Sequence, residues 1–228
     1  QSATTGANSV AIGYAALDAV TTNSNNVAIG HNALTTSTAE GNTAVGYESA
    51  KSNTTGYRNV SMGKDSFADN TTGNQNVAIG NNALEKNTTA GDNTAVGFQA
   101  LTAATTGSQN VAVGANALDA NTTAANNTAV GYNAMTNNTT GTANVAVGTA
   151  SLVNPTGSSN NVAVGYAALN AVSTGSSLTA VGKDALIANT TGDNNIGIGR
   201  DAGQSITTGS NNIAIGVEAL ENVSSTNM

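Results

Sequence analysis

Few residues of this chain could do chemistry. His31 is the sole histidine, cysteine is absent, and 13 carboxylates are scattered singly along 228 residues. No nucleophile, base and orienting group recur together, so the chain reads as a non-enzyme with no catalytic residue. The 26 glycines make no phosphate loop, because no Gly-Lys-Ser/Thr follows them. Calcium-binding β-roll repeats need aspartates in every turn, whereas these turns carry Thr and Asn. The sequence therefore assigns no metal and no cofactor.

The aromatic and cationic side chains are nevertheless not random. Four of the five tyrosines and three of the six cations fall in one column, directly after a recurring glycine. Its prominent members are Tyr14, His31, Tyr47, Lys64, Tyr132, Tyr166, Lys183 and Arg200; Phe98, Asn81, Ala115, Thr149 and Val217 share it. An acid follows three of the cations, in Lys64-Asp65, Lys183-Asp184 and Arg200-Asp201. Such a column, exposed on a rigid support, suits contact with a protein or a glycan. Solvated decoration, or a flank of a subunit interface, would look the same in sequence.

The support is a repeat. The motif glycine stands at positions 13, 30, 46, 63, 80, 97, 114, 131, 148, 165, 182, 199 and 216, spaced by 17 residues except for 16 between Gly30 and Gly46. Asn76-Val77-Ala78-Ile79-Gly80, followed by Ala83-Leu84 and a Thr-rich turn, represents the thirteen copies. A fixed period of this length dictates a stacked, quasi-one-dimensional architecture. Aromatics at 3% and one proline rule out a globular core of large side chains, and strict apolar periodicity argues against disorder.

Before each glycine lies Val/Ile/Thr, then a very small residue, then Ile or Val (Met62 once). That is a short β-strand with branched residues on one face. Ala-Leu three and four residues after the glycine, in eight copies, predicts a second apolar element. The expected coil is strand, glycine bend, second strand, turn, with coils paired in parallel.

A coil this thin admits little more than methyl groups and Leu, so the small residue is expected inside. The branched pairs then face outward: Val27 and Ile29, Val77 and Ile79, Val111 and Val113, Val145 and Val147, Val162 and Val164, Ile213 and Ile215. A continuous stripe of this kind exceeds what a soluble monomer exposes. It is expected to be a subunit interface closing as a cyclic oligomer. The opposite orientation, with Val and Ile inside, would belong to a monomer.

Asn stands four residues before the glycine in eleven copies, with Ser9 and Leu178 as exceptions, and predicts a ladder stacked at a turn. Thr-Thr-Gly turns close the coils, and matches to the N-glycosylation pattern at Asn53 and Asn70 are what such repetition produces by chance. With a net charge of -7 there is no footprint for nucleic acid, and the short apolar runs imply no direct membrane insertion.

The motifs Asn25-Asn26-Val27-Ala28-Ile29-Gly30 and Asn8-Ser9-Val10-Ala11-Ile12-Gly13 resemble the head repeat of trimeric autotransporter adhesins, the YadA-like heads of Gram-negative bacteria. The resemblance covers essentially the whole chain. It implies an all-β, left-handed parallel β-roll or solenoid of about 13 coils with a 17-residue repeat, homotrimeric. It also implies residues 1-228 as a single β-roll repeat domain, a segment of a longer fibre on the outside of the bacterial cell. Head repeats in that family are typically shorter, and here the Thr-Gly turn is longer. Gly192 to Arg200 is similar instead to repeats of phage tail fibres and environmental surface fibres.

Three functions follow as expectations. The first is an adhesive or structural segment of a trimeric bacterial cell-surface fibre, attaching to host matrix protein, glycan or a cell-surface receptor. The second is a phage tail-fibre or spike shaft, located on the virion. The third, from the Thr-rich turns, is an ice-binding solenoid, which the irregularity of those turns (Ala124, Asn154-Pro155, Ser173) disfavours.

Overall fold

The computed structural model describes residues 7–19 and 22–223, which form an all-β parallel β-solenoid. It divides into two units, Gln1–Asn110 and Val111–Met228. In the first, six three-residue strands start at Val10, Val27, Thr43, Val60, Val77 and Thr94. In the second, seven start at Val111, Thr128, Val145, Val162, Thr179, Ile196 and Ile213. Neighbours within each unit pair in parallel and in strict register, as Val60↔Val77, Ser61↔Ala78 and Met62↔Ile79. Identical columns therefore lie on one another.

The middle residue of the strand is fully buried, as at Ala28, Ala44 and Ala78 in the first unit and Ala129, Ala146 and Ala163 in the second. Its neighbours are half-buried or exposed. The motif glycine then turns the chain at a φ no side chain tolerates. At Gly80 (φ 136°) a Cβ would lie 2.3 Å from the carbonyl oxygen of Gly97 in the next coil. The close approach of backbones makes glycine obligatory there.

The limb after the glycine is not a second strand. The second and fourth residues past it take left-handed φ, as in Asn82 (57°) and Leu84 (51°), or Asn133 (53°) and Met135 (54°). The reason is in the pairing of Ala83 with Leu84, both fully buried. A β-strand sends successive side chains to opposite faces, so it could not bury two neighbours on one side. Alternating the sign of φ does. Each left-handed non-glycine residue costs roughly 1–2 kcal/mol. Leu84 offsets this by donating its N–H to Ala100 at 2.9 Å and burying its whole side chain.

The core is a file of Leu, with local exchanges of volume. Phe67, fully buried, follows Ala50 in this column, and buried Ser49, Ser61 and Ser66 stand where Ala is usual in the adjoining columns. Their hydroxyls are satisfied: Ser49 and Ser61 share a bond of 2.5 Å, Ser61 donates to Ser66 O at 2.9 Å, and Ser66 to Ala78 O at 2.9 Å. In the second unit Gly203 stands where Leu is usual, and Ile206 fills that space. A Cβ on Gly203 would meet Leu186 at 2.7 Å and Ile206 at 3.1 Å.

Candidate functional site

The expected Asn ladder is present and is buried. In the first unit the main-chain N–H of Asn42, Asn59, Asn76, Asn93 and Asn110 each donates to the side-chain oxygen of the preceding Asn, at 2.9–3.0 Å. The amide nitrogen crosses the coil to a turn carbonyl, as from Asn59 to Gly73 at 2.9 Å and Asn76 to Ala90 at 2.9 Å. In the second unit the ladder runs from Asn127 through Asn144 and Asn161 to the N–H of Leu178, and resumes between Asn195 and Asn212. These side chains hold the turn against the strand and present nothing to a ligand.

A second buried Asn column escaped the sequence reading. Asn53, Asn70 and Asn87 in the first unit, and Asn121, Asn138 and Asn189 in the second, stand seven residues after the motif glycine with no exposed surface. Asn70 donates to Asn53 Oδ1 at 2.6 Å and accepts from Asn87 at 2.8 Å. The signal was the Asn-Thr-Thr run beginning each turn. Asn53 and Asn70, which match the glycosylation pattern, have their amides enclosed in this ladder, so a folded chain offers no acceptor there. The next residue forms a third rank: Thr54 Oγ1 donates to Thr71 O at 2.8 Å, and Thr71 Oγ1 to Thr88 O at 2.9 Å.

With the interior filled by these ladders, the surface carries two features. The first is the outward face of the strands. Val27, Ile29 and Val77 are half-buried and Ile79 is exposed, as are Val10, Ile12 and Met62. In the second unit Val111, Val113, Val145 and Val164 are half-buried, while Val147, Val162, Ile213 and Ile215 are exposed, the last at 66%. Among the described residues of each unit, these side chains stay half-buried or exposed along the stack.

The second feature is the column after the glycine. Tyr14, His31, Tyr47 and Lys64 are exposed in the first unit, and Tyr132, Tyr166, Lys183 and Arg200 in the second. Coil spacing stacks three of the rings: His31 lies 5.1 Å from Tyr14 and 5.2 Å from Tyr47, tilted by 19° and 12°. Stacking of this kind holds the three rings in file along the surface. Glu48 anchors the end of the stack. Its hydrogen bond raises the Tyr47 phenol above the ordinary tyrosine range. Glu48 itself is held low by Lys51, whose Nζ lies 2.5 Å from its carboxylate.

The cations of this column are neutralised within their unit. Lys64 pairs with Asp65 at 3.0 Å, Lys183 pairs with Asp184, and Arg200 spans Asp201 at 2.5 Å and Glu218 at 2.6 Å. These are exposed pairs, screened by solvent. They order the side chains more than they stabilise the fold. The column thus presents edges of stacked rings and zwitterionic pairs, a surface suited to hydrogen bonding and flat apolar contact. Among the described residues, no group of three or more His, Asp or Glu could hold a metal ion.

No family model, no curated protein and no solved structure matches the chain.

Proposed function

We propose that this chain is a non-enzymatic segment of a homotrimeric bacterial surface fibre, structural and adhesive, with the outward strand faces packed between three copies. The observation that carries the reading is the repetition, with Met62 as the one unbranched exception, of a half-buried or exposed branched pair on the strands of each unit. A polar solenoid surface would need no Val or Ile there, and Thr43, Thr94, Thr128 and Thr179 show that a polar residue fits the first position. Burying roughly 25 cal/mol of favourable free energy per Å², in every coil, gives an interface that grows with the length of the stack. A head-to-tail contact that closes as a ring accounts for a stripe on only one face of the coil. The resemblance of the Asn-Val-Ala-Ile-Gly motif to trimeric adhesin heads supports three chains and a left-handed winding.

In such an assembly the column from Tyr14 to Tyr47, and that from Tyr132 to Arg200, stand beside the interface as the surface for a matrix protein, a glycan or a receptor. Light scattering coupled to size exclusion tests the assembly. A single species of three times the 22.2 kDa chain mass is expected. A species near 22.2 kDa overturns the reading. Adhesion of protein-coated beads to matrix-coated surfaces, lost in Tyr14→Ala/Tyr47→Ala with the oligomer intact, tests the contact role.

A further inference from the structure

One coil is shorter than the rest, and its missing residue leaves a groove. The turn of the Gly30 coil reads Thr38-Ala39-Glu40-Gly41, whereas the next reads Thr54-Thr55-Gly56-Tyr57-Arg58. The residue lost is the counterpart of Thr55 and Thr22, so the rank of turn side chains has a gap between those two. An open groove of about 500 Å³ occupies it, lined by Asn23, Thr38, Glu40, Thr55, Tyr57 and Arg58, with Ala39 at its base. That size suits a small ligand.

The lining differs in kind from every other turn. Tyr57 is the one tyrosine outside the column after the glycine. Arg58 is the one cation of six that makes no ion pair among the described residues; the other five are each bound to a carboxylate. Its guanidinium sits over the Tyr57 ring, 5.6 Å from the centroid, an arrangement that holds a planar cation in place without consuming its donors. Glu40 likewise makes no ion pair among the described residues. In neighbouring coils the position of Glu40 and Tyr57 is occupied by Ser24 and Asn74, whose side chains accept a main-chain N–H from the adjacent coil, 3.1 Å from Ala7 and 2.9 Å from Tyr57. Glu40 is released from that duty. Thr38, in the lining, spends its hydroxyl proton on Thr54 O at 3.0 Å, which leaves its oxygen free to act as an acceptor.

We propose that this groove is a binding site for an acidic pyranose, a sugar ring bearing a carboxylate. The fork of Arg58 takes the carboxylate by paired hydrogen bonds, for which guanidinium is suited and ammonium is not. Glu40, Thr38 and Asn23 accept or donate to ring hydroxyls, and the aromatic ring of Tyr57 lies against the C–H face of the sugar. The site uses residues of the first unit alone, so it stands whether or not the strand faces assemble.

Calorimetric titration of the full chain with glucuronic acid tests this, with glucose and acetate as the neutral-sugar and carboxylate-only controls. Saturable binding of glucuronic acid is expected, at least tenfold tighter than either control. Arg58→Ala should weaken it tenfold or more, and insertion of one Thr after Thr38, which restores the standard turn, should abolish it. Far-UV circular dichroism and the oligomer mass report that both variants fold. No saturable binding to the native chain overturns the proposal. So does equal binding of glucose or acetate, or unchanged binding by the folded insertion variant.

Discussion

The side-chain oxygen of Asn59 accepts two bonds from Asn76, one coil on: the main-chain N–H at 2.9 Å and the side-chain amide at 3.2 Å. One atom thus ties the backbone and the side chain of successive coils. Asn76 Oδ1 in turn accepts the main-chain N–H of Asn93 at 3.0 Å, so the column continues as a line of amides inside a coil otherwise filled with apolar side chains.

Removing one rung leaves a partner stranded. Asn76→Ala strips the acceptor from the buried N–H of Asn93, while Ala90 O keeps the Asn87 amide as a donor at 3.1 Å. Leaving buried polar groups unmade costs about 1–3 kcal/mol each. The variant should lose about 1–3 kcal/mol, read as a lower midpoint in guanidinium unfolding. An unchanged midpoint would mean that water replaces the rung.

The second Asn column contains its own contrast. Asn189 is fully buried and neither of its side-chain polar atoms has a partner, while its column neighbours Val172 and Ile206 are apolar. Asn70, in the same column, makes four side-chain bonds. Asn189→Val should therefore stabilise by about 1–3 kcal/mol, the penalty of an unmet buried amide. Asn70→Val should destabilise by a similar amount. Opposite shifts in thermal midpoint check the pair, and parallel shifts would refute the accounting.

Assembly through the strand face makes a prediction about two charges. Val113→Asp, half-buried on that face, would place an unpaired carboxylate between copies and should shift the scattering mass to that of a single chain. Ser108→Asp should leave the oligomer intact. Its column tolerates a carboxylate, since Asp193 occupies it and accepts the N–H of Ser176 at 2.8 Å. Equal assembly of the two variants would place the interface elsewhere.

Asp119 supplies a pH signature. Burial raises its carboxyl above the ordinary value of 3.8, and one of its oxygens is buried with no partner. A folded state that holds the proton more tightly than the unfolded chain loses stability as pH rises from the unfolded to the folded pKa. Above that window the full penalty persists. Asp119→Asn should therefore raise the thermal midpoint at pH 7 and leave it unchanged near pH 3. A gain of the same size at both values would point to packing instead of charge.

Much of this was legible in the residues. The spacing of Gly13 to Gly216 prescribed stacked coils, the small residue between branched neighbours marked the inside of the strand, and the Asn before each strand marked a ladder. These readings survive because each depends on a requirement one residue type meets: no Cβ at the bend, a methyl in a thin core, an amide with both donor and acceptor. The column of Asn53 and Asn70 was also visible, but its Thr-Thr neighbours gave it the look of an exposed turn. The 16-residue interval was visible as a number and silent about the groove it opens between Asn23 and Arg58.

The sequence by itself determined the period and the identity of the inward and bending residues. Tertiary structure alone decided the conformation of the limb carrying Ala83 and Leu84. Local propensity places Leu in a helix or a strand, and only the need to bury two adjacent side chains while bonding to coils above and below forces it to φ 51°. The same holds for the partners of the amides. Asn is placed by local sequence, but whether it is satisfied, as Asn70 is, or orphaned, as Asn189 is, depends on what the neighbouring coil sets against it, 17 residues away.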